Sequence, residues 1–184
     1  MTELYEFLRQ RFGVTAPEHR RADLAFVLAP AEGIVPLLHH LKTREGYTHL
    51  SFITVVDWPE ENNFELVYML VNHTKKHRLG LRVRVNRNEP VVESIHDLWV
   101  QAATYQRELH EMFGVQFPGS PGMEEPLILE GWREMPPMRR DFDTRAYSEK
   151  TYFPREGRHT TEPRRRMNQA LHPKDRWETE RTDD

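Results

Sequence analysis

The sequence predicts an α/β fold of the α+β type, in which a mainly antiparallel sheet carries packed helices and is followed by an extended Pro-rich segment and a charged C-terminal tail. Two observations predict the sheet: three apolar runs follow one another closely, and their connections are shorter than a parallel crossover needs. Prolines and glycines then break any regular pattern. We therefore divide the chain into an α/β domain at 1–117, a Pro-rich loop at 118–142 and an extended C-terminal tail at 143–184.

The N-terminal part of the domain predicts two helices with a strand between them. Apolar residues recur at helical spacing as far as Phe12, and Gly13 supplies the stop expected just beyond a helix end. Asp23 to Ala29 is typical of a buried strand. A second helix opens at Pro30-Ala31-Glu32-Gly33 and ends near Gly46, which makes a βα unit.

Three strands are predicted next, at Leu50–Val56, Phe64–Val71 and Leu79–Val85. The middle run is apolar on both faces, so we expect this strand to be central in the sheet. The third run alternates its apolar residues with Arg82 and Arg84, so one of its faces is buried. The two arginines lie either on plain surface or against a neighbouring subunit.

A helix of about five turns is predicted to lie across the sheet after these strands. Ser94 and Asp97 are three residues apart and resemble an acidic capping box, and the apolar residues after them keep to one stripe until Gly114 ends it. Arg107 lies on the far side of this stripe. Its expected role is an exposed pair with Glu111, which would stabilise the helix by about a few tenths of a kcal/mol.

The composition excludes several kinds of chemistry. Without cysteine, the chain has no ligands for disulfides, thiolate zinc sites or protein-held iron–sulfur clusters. A formal net charge of −3, with acids and bases interspersed, gives no basic footprint for nucleic acid. No apolar run approaches the roughly 20 residues of a membrane span. A cysteine-free chain without a leader suits the cytoplasm, where we expect it to lie.

The familiar catalytic motifs are also missing from the sequence. His110-Glu111 is not a zinc-protease helix, because position 114 is glycine and not histidine. No glycine-rich phosphate loop and no serine-nucleophile elbow occurs. We therefore predict no catalytic, cofactor-binding or metal site in this chain. The alternative from a different class is a free-standing enzyme with an unrecognised acid/base pair.

A series of ordered motifs resembles a known family. The motifs are Gln106-Arg107-Glu108, Glu111-Met112-Phe113-Gly114-Val115-Gln116-Phe117, Gly119, Pro121, Trp132 and Met138-Arg139-Arg140-Asp141-Phe142, followed by Tyr147, Glu149, Tyr152 and Glu162-Pro163. In their order and spacing they resemble the 30-kDa subunit of respiratory complex I (NADH-quinone oxidoreductase) and the matching subunits of membrane-bound energy-converting hydrogenases. The chain departs from the family pattern at Glu111, Ser120 and Arg140, and its 124–129 stretch lacks the paired arginines of the respiratory form.

The resemblance implies a non-catalytic structural subunit in the peripheral arm of a complex I-like, ion-pumping oxidoreductase. Its partners would be the large subunit of the quinone-site (49-kDa-like) or nickel–iron hydrogenase type, a small iron–sulfur subunit and, indirectly, the membrane arm. Cofactors would belong to these neighbours: iron–sulfur clusters and, in the hydrogenase case, nickel and iron. The chain would then be peripheral on the cytoplasmic face of the membrane and would support electron transfer to quinone.

Two alternatives to this interpretation stay open. One is the equivalent accessory subunit of an energy-converting membrane-bound nickel–iron hydrogenase or of a related ferredoxin- or coenzyme-linked complex. The other is a soluble binding module that keeps the fold but has left the complex.

Twelve residues of these motifs are predicted to face the partner, with the Pro-rich loop as the docking element. They are Arg107, Glu108, Phe113, Gly114, Phe117, Trp132, Arg139, Arg140, Asp141, Phe142, Tyr147 and Tyr152. Arg139 and Arg140 suit bidentate pairing with partner carboxylates, and the aromatic residues supply apolar anchors. For Phe113 and Trp132, packing inside this domain is an equal alternative. The tail is either disordered or ordered only along another chain.

Overall fold

The computed structural model describes residues 2–151, apart from the side chain of Glu149. The chain divides into two units, Met1–Phe142 and Asp143–Asp184. The helices of the first unit are α1 (Thr2–Phe12), α2 (Ile34–Thr43) and α3 (Ala102–Phe113), with short 3-10 turns at Ala31–Gly33 and Pro59–Glu61. Its strands are β1 (Glu18–Arg21), β2 (Leu24–Ala29), β3 (His49–Trp58), β4 (Asn63–Asn72) and β5 (His77–Asn86). The described part of the second unit forms helix α4 (Thr144–Thr151).

The five strands form one sheet in the order β1-β2-β5-β4-β3. Only the β2–β5 pair is parallel, so the predicted mainly antiparallel α/β fold is confirmed. β4 lies between two neighbours, as its two apolar faces predicted. The sequence did not predict β1, because this edge strand is polar and its side chains are mostly exposed.

The register of the meander fixes which side chains share a face at one end of the sheet. Asp57 on β3 lies opposite Phe64 on β4, and Phe64 lies opposite Val85 on β5. Directly opposed residues of a sheet share a face, and so do residues two apart along an extended chain. Asp57, Phe64 and Arg87 are therefore expected on one face, at the end where β3 and β5 both finish.

The two faces of the sheet differ. One face joins the helices in a single apolar core, to which Leu8, Leu38 and Leu109 contribute from the helices. On the other face, Arg82 pairs with Glu18 at 2.7 Å, and Arg84 pairs with two glutamates of the chain, each at 2.9 Å. These contacts within the chain favour plain surface for the two arginines. The exposed pair of Arg84 with Glu61 stabilises the fold only weakly, whereas Glu65, the other partner of Arg84, is buried.

Helix α3 is shorter than predicted and begins at Ala102, so its 12 residues make about three turns. The predicted capping box is wrong, because the Ser94 hydroxyl donates to Gln106 Oε1 at 2.8 Å. Residues 95–101 instead form turns that bury Trp99, whose indole N–H donates to the Thr48 carbonyl at 2.8 Å. Burial of this side chain outweighs the local preference for a longer helix. Among residues 2–151, no helix has the length and apolar character needed to cross a membrane.

Candidate functional site

The C-terminal turn of α3 is the foundation of the candidate site. Gly114 ends the helix with φ +82° and donates its N–H to the His110 carbonyl at 2.8 Å. A Cβ at this position would lie 3.0 Å from Arg139 Nη2 and 3.3 Å from Pro136 Cγ. The position therefore requires glycine twice, for its left-handed backbone and for the close approach of the chain that returns to it.

The returning chain, residues 136–142, is called here the return segment. The Met138 N–H donates to the Met112 carbonyl at 3.1 Å, and Arg139 Nε donates to the Phe113 carbonyl at 2.8 Å. Carbonyls in the last turn of a helix have no partner within that helix. The return segment supplies these partners and so completes the end of α3.

Phe64, a fully buried residue of β4, is the apolar centre of this region. The guanidinium carbon of Arg139 lies 5.1 Å from the ring centroid, and that of Arg87 lies 5.6 Å from it. Phe113 meets the ring edge-on at 6.0 Å. Burial, and then the neighbouring Arg87, lower the pKa of Arg139. Two cations over one aromatic ring need nearby negative charge, which two aspartates provide.

Asp57, Arg87 and Asp141 form an ionic cluster that is called here the clasp. Arg87 donates to both oxygens of Asp57, at 2.7 and 3.1 Å, and to both oxygens of Asp141, at 2.5 and 3.1 Å. The Arg140 N–H adds a bond of 2.9 Å to Asp57 Oδ2. The clasp thus ties the ends of β3 and β5 to the return segment through charge-assisted, bidentate bonds.

The clasp perturbs the ionisation of its members. Burial alone would raise the pKa of Asp57, but the hydrogen bonds from Arg87 and from the Arg140 N–H outweigh it and lower this pKa. The hydrogen bond from Arg87 lowers the pKa of Asp141 in the same way. Both carboxylates in turn raise the pKa of Arg87. All three side chains are therefore charged at neutral pH.

Sequence reasoning did not identify Asp57 and Arg87. A signal was available, since each is a charged residue that comes directly after, or one residue beyond, a predicted apolar strand. In a meander, the ends of the first and third strands lie at the same edge of the sheet. Their proximity to Asp141 could not be predicted from the sequence, because 54 residues separate Arg87 from Asp141.

Residues 124–130, called here the pinned loop, are fixed to the last two turns of α3 by the side chains of Arg107 and Glu111. The Glu111 carboxylate accepts the N–H groups of Leu127, Ile128 and Leu129 at 3.0, 2.9 and 2.9 Å. Arg107 Nη2 donates to the carbonyls of residues 125 and 126, both at 3.1 Å. The predicted direct pair between Arg107 and Glu111 is wrong, because each side chain binds loop backbone instead.

The charge of Glu111 is maintained by these bonds. Burial alone would raise its pKa, but the three backbone N–H groups, with the nearby positive charge of Arg107, lower it below the ordinary value. A carboxylate that accepts several N–H bonds is favoured in its ionised form. The pinned loop is therefore held by an anion at neutral pH.

The remaining predicted residues differ in their surroundings. Phe117 is buried in the core, whereas Glu108 is exposed. Trp132 and Phe142 contact each other with ring centroids 5.6 Å apart, and the indole N–H donates to the carbonyls of residues 134 and 135. The Arg140 side chain reaches an exposed carboxylate, that of residue 60, at 3.3 Å.

Two predicted tyrosines lie beyond the first unit. Tyr147 is on α4 of the second unit, and Tyr152 lies outside the described residues. The structure therefore gathers Arg107, Phe113, Gly114 and the 139–141 stretch around the end of α3. Their role at a partner interface stays a prediction. Within residues 2–151, no group of three or more His, Cys, Asp or Glu side chains is placed to hold a metal ion.

Comparisons with known proteins give consistent matches. Residues 27–148 match the family described as respiratory-chain NADH dehydrogenase, 30 Kd subunit. An NADH-quinone oxidoreductase subunit of Moorella thermoacetica is 32% identical over 120 residues, which are 65% of this chain and 80% of that protein. The mitochondrial NADH-ubiquinone oxidoreductase 30.4 kDa subunit of Neurospora crassa is 34% identical over 144 residues, which are 77% of this chain and 50% of that protein.

Two solved structures are also similar. A chain of the membrane-bound sulfane sulfur reductase, an archaeal respiratory membrane complex, has a TM-score of 0.75 and 31% identity, over 82% of this chain and 90% of that chain. The trypsin-resistant fragment (1-134) of Nqo5 has a TM-score of 0.57 and 27% identity, over 65% of this chain and 96% of that fragment.

Proposed function

This chain belongs to the family of the 30-kDa subunit of respiratory-chain NADH dehydrogenase, and from that membership we propose that it is a structural subunit of a membrane-bound respiratory oxidoreductase. In this role it docks on a large subunit of the quinone-site type, beside a small iron–sulfur subunit, on the cytoplasmic face of the membrane. Electrons reach quinone through iron–sulfur clusters of the neighbours. This chain contributes position and shape, not chemistry.

The observation that carries this proposal is that the family's motif residues make contacts within this chain that order the return segment. Arg139 binds the end of α3, and Asp141 binds Arg87. Both contacts lie within the chain and fix the proline-containing return segment in one conformation. Ordering such a segment at the moment of binding would reduce the affinity. Because the return segment is already ordered before binding, it offers a rigid surface on which another protein of the complex can assemble.

A second candidate function is favoured by one comparison. The chain of the sulfane sulfur reductase complex matches 82% of this chain with a TM-score of 0.75. The same scaffold would then serve an energy-converting nickel–iron hydrogenase, or a related ferredoxin- or coenzyme-linked complex, as its accessory subunit. The large subunit's reaction, and not this chain, distinguishes the two candidates.

The proposal is tested by purifying the full-length tagged chain from the membranes of its own host in mild detergent and identifying the bound proteins by mass spectrometry. We expect a large subunit and a small iron–sulfur subunit in equal amounts with the tagged chain. Pairs of Cys-x-x-Cys motifs near both ends of the large subunit would indicate the hydrogenase type, and their loss would indicate quinone or another acceptor.

Two results would contradict the structural role. Recovery of the chain without any large subunit would favour the soluble binding module. Redox turnover by the isolated chain, or flavin or iron bound to it, would favour an enzyme in its own right.

A further inference from the structure

The pinned loop exposes an apolar side chain at its centre. Ile128 is 65% exposed, whereas Leu127 and Leu129 on either side of it are partly buried. Single exposed apolar residues are common on protein surfaces and by themselves indicate nothing. Here the backbone of the same three residues is held by one carboxylate, so the outward direction of Ile128 is fixed by the fold.

The ties to α3 make this loop stiff. Glu111 accepts three consecutive N–H groups, and Arg107 donates to the two carbonyls that precede them. Hydrogen bonds to an ionised carboxylate or guanidinium are stronger than neutral ones. A side chain on a fixed backbone loses little further freedom when it enters a binding pocket. Ile128 is therefore presented in advance for contact.

A second exposed apolar residue lies in the return segment. Met138 is 58% exposed, and its N–H is bound to the carbonyl of Met112, which directly follows Glu111. The segments that carry Ile128 and Met138 are thus fastened to adjacent residues of α3. Both segments lie in the first unit, so these two exposed side chains are carried by the folded domain itself.

The charges of the loop indicate the chemistry of the partner. From 124 to 134 the chain has four glutamates and one arginine. Glu124, Glu125 and Glu130 are exposed, and the ion pairs within residues 2–151 involve none of the three. An acidic rim around an apolar contact fits a surface of opposite charge and disfavours acidic ones.

We infer that the pinned loop is a docking element, in which Ile128 enters an apolar recess of the large subunit, and Glu124, Glu125 and Glu130 meet lysine or arginine side chains around that recess. The inference rests on the proposed function and adds to it separate roles for the clasp and the pinned loop. The clasp holds the return segment, with the exposed Met138, in position on its own domain, and the pinned loop adds Ile128 as the central contact with the partner.

The test uses the full-length tagged chain in its host, with Ile128→Asn and the matched control Val100→Asn. Val100 is 84% exposed and lies in the turn before α3, outside the pinned loop. We expect Ile128→Asn to reduce the recovered large subunit about tenfold, as for a central apolar contact. Val100→Asn should leave it unchanged, and both variants should unfold at the parent's temperature.

The charge component has its own matched pair of variants. Glu124→Lys with Glu130→Lys reverses two charges of the rim, and Glu89→Lys with Glu93→Lys reverses two exposed charges elsewhere. Only the first pair should reduce recovery, and the reduction should shrink at high salt. A photo-crosslinking amino acid at 128 should give a bond to the large subunit, at an apolar site with lysine or arginine residues close by in the sequence.

The outcomes separate this inference from the proposed function. If the unmodified chain recovers no other subunit, both are overturned. If it recovers the complex and Ile128→Asn recovers it equally well, the docking role of the loop is overturned and the structural role stands. A crosslink from position 128 to a second copy of the chain or to lipid would also overturn it.

Discussion

The return segment and the pinned loop are fastened to the same turn of α3 by opposite means. In the return segment, charged side chains point inward: Arg139 lies over the buried Phe64 ring, and Asp141 closes on Arg87. At the pinned loop, the Glu111 side chain of α3 binds the backbone of the loop, and Ile128 of the loop points to solvent. The first arrangement secures the chain to its core, and the second displays a residue. Substitutions should therefore affect stability in one region and assembly in the other.

The largest effect is expected from Arg87→Met, which leaves the buried Asp57 without its cation. Removal of one partner of a buried ion pair typically lowers the free energy of unfolding by about 3–5 kcal/mol. We expect the low end, because Asp141 is 45% exposed and can be solvated. Urea denaturation measures the change. Arg78→Met, which removes an exposed arginine of β5 from a pair with the partly exposed Asp23, should change it by less than about 1 kcal/mol. An equal loss in the free energy of unfolding for both variants would mean that the clasp stabilises the fold no more than an exposed ion pair does.

Gly114→Ala should have the next largest effect. It places a Cβ at φ +82°, 3.0 Å from Arg139 Nη2, so both the backbone and the return segment are strained. The backbone contribution alone is about 1–2 kcal/mol. Gly131→Ala is the matched control, since its φ is +77° and nothing lies within 4 Å of a Cβ there. Thermal unfolding of both variants should show a greater loss for Gly114→Ala. A larger loss at Gly131 would contradict the close approach of Arg139.

Glu111→Gln should have a smaller effect on stability, which sharpens the contrast between the regions. The amide oxygen can still accept, but the amide nitrogen cannot, so at least one of the three bonds is lost together with the charge, at a cost of about 1 kcal/mol. Hydrogen exchange should become faster at the amides of Leu127, Ile128 and Leu129, while the Met138 amide keeps its protection. Faster exchange at Met138 as well would mean that the two segments are one cooperative element.

The smallest effect on stability is expected from mild acid. Asp57, Asp141 and Glu111 have lowered pKa values in the folded chain. Such groups contribute stability that is complete above their unfolded pKa values, about 3.9 for Asp and 4.3 for Glu, and is lost as the pH falls through the folded values. The free energy of unfolding should therefore fall below about pH 4. Arg87→Met should remove most of this fall, and Glu111→Gln only a part. The same acid slope in all three proteins would contradict the assignment.

The sequence predicted those parts of the fold in which local pattern and tertiary burial agree. The alternation of β5 predicted its buried face, and α3 ends at Gly114 as the glycine stop signal predicted. The prediction missed β1, whose polar edge carries no alternation, and it started α3 too early, because burial of Trp99 requires turns at 95–101.

The candidate site was predicted less completely than the fold. The motifs drew attention to Arg139 and Asp141, but the partners of these residues and their neighbours, Asp57 and Arg87, come from distant strands. Sequence spacing carries no information about such contacts. Glu111 was expected to bind Arg107 four residues away, and a loop that follows it by 16 to 18 residues binds it instead.

The position of Phe64 in β4 has a consequence for the order of folding and assembly. Its ring receives Arg139 only when β4 is formed, and the clasp closes only when β3 and β5 have both aligned with it. Contacts across such long stretches of chain form late, since the intervening loops must close first. We expect the return segment to be the last part of the first unit to order. A partly folded chain would then lack the surface formed by the return segment, so the larger complex would assemble only after this subunit has folded completely.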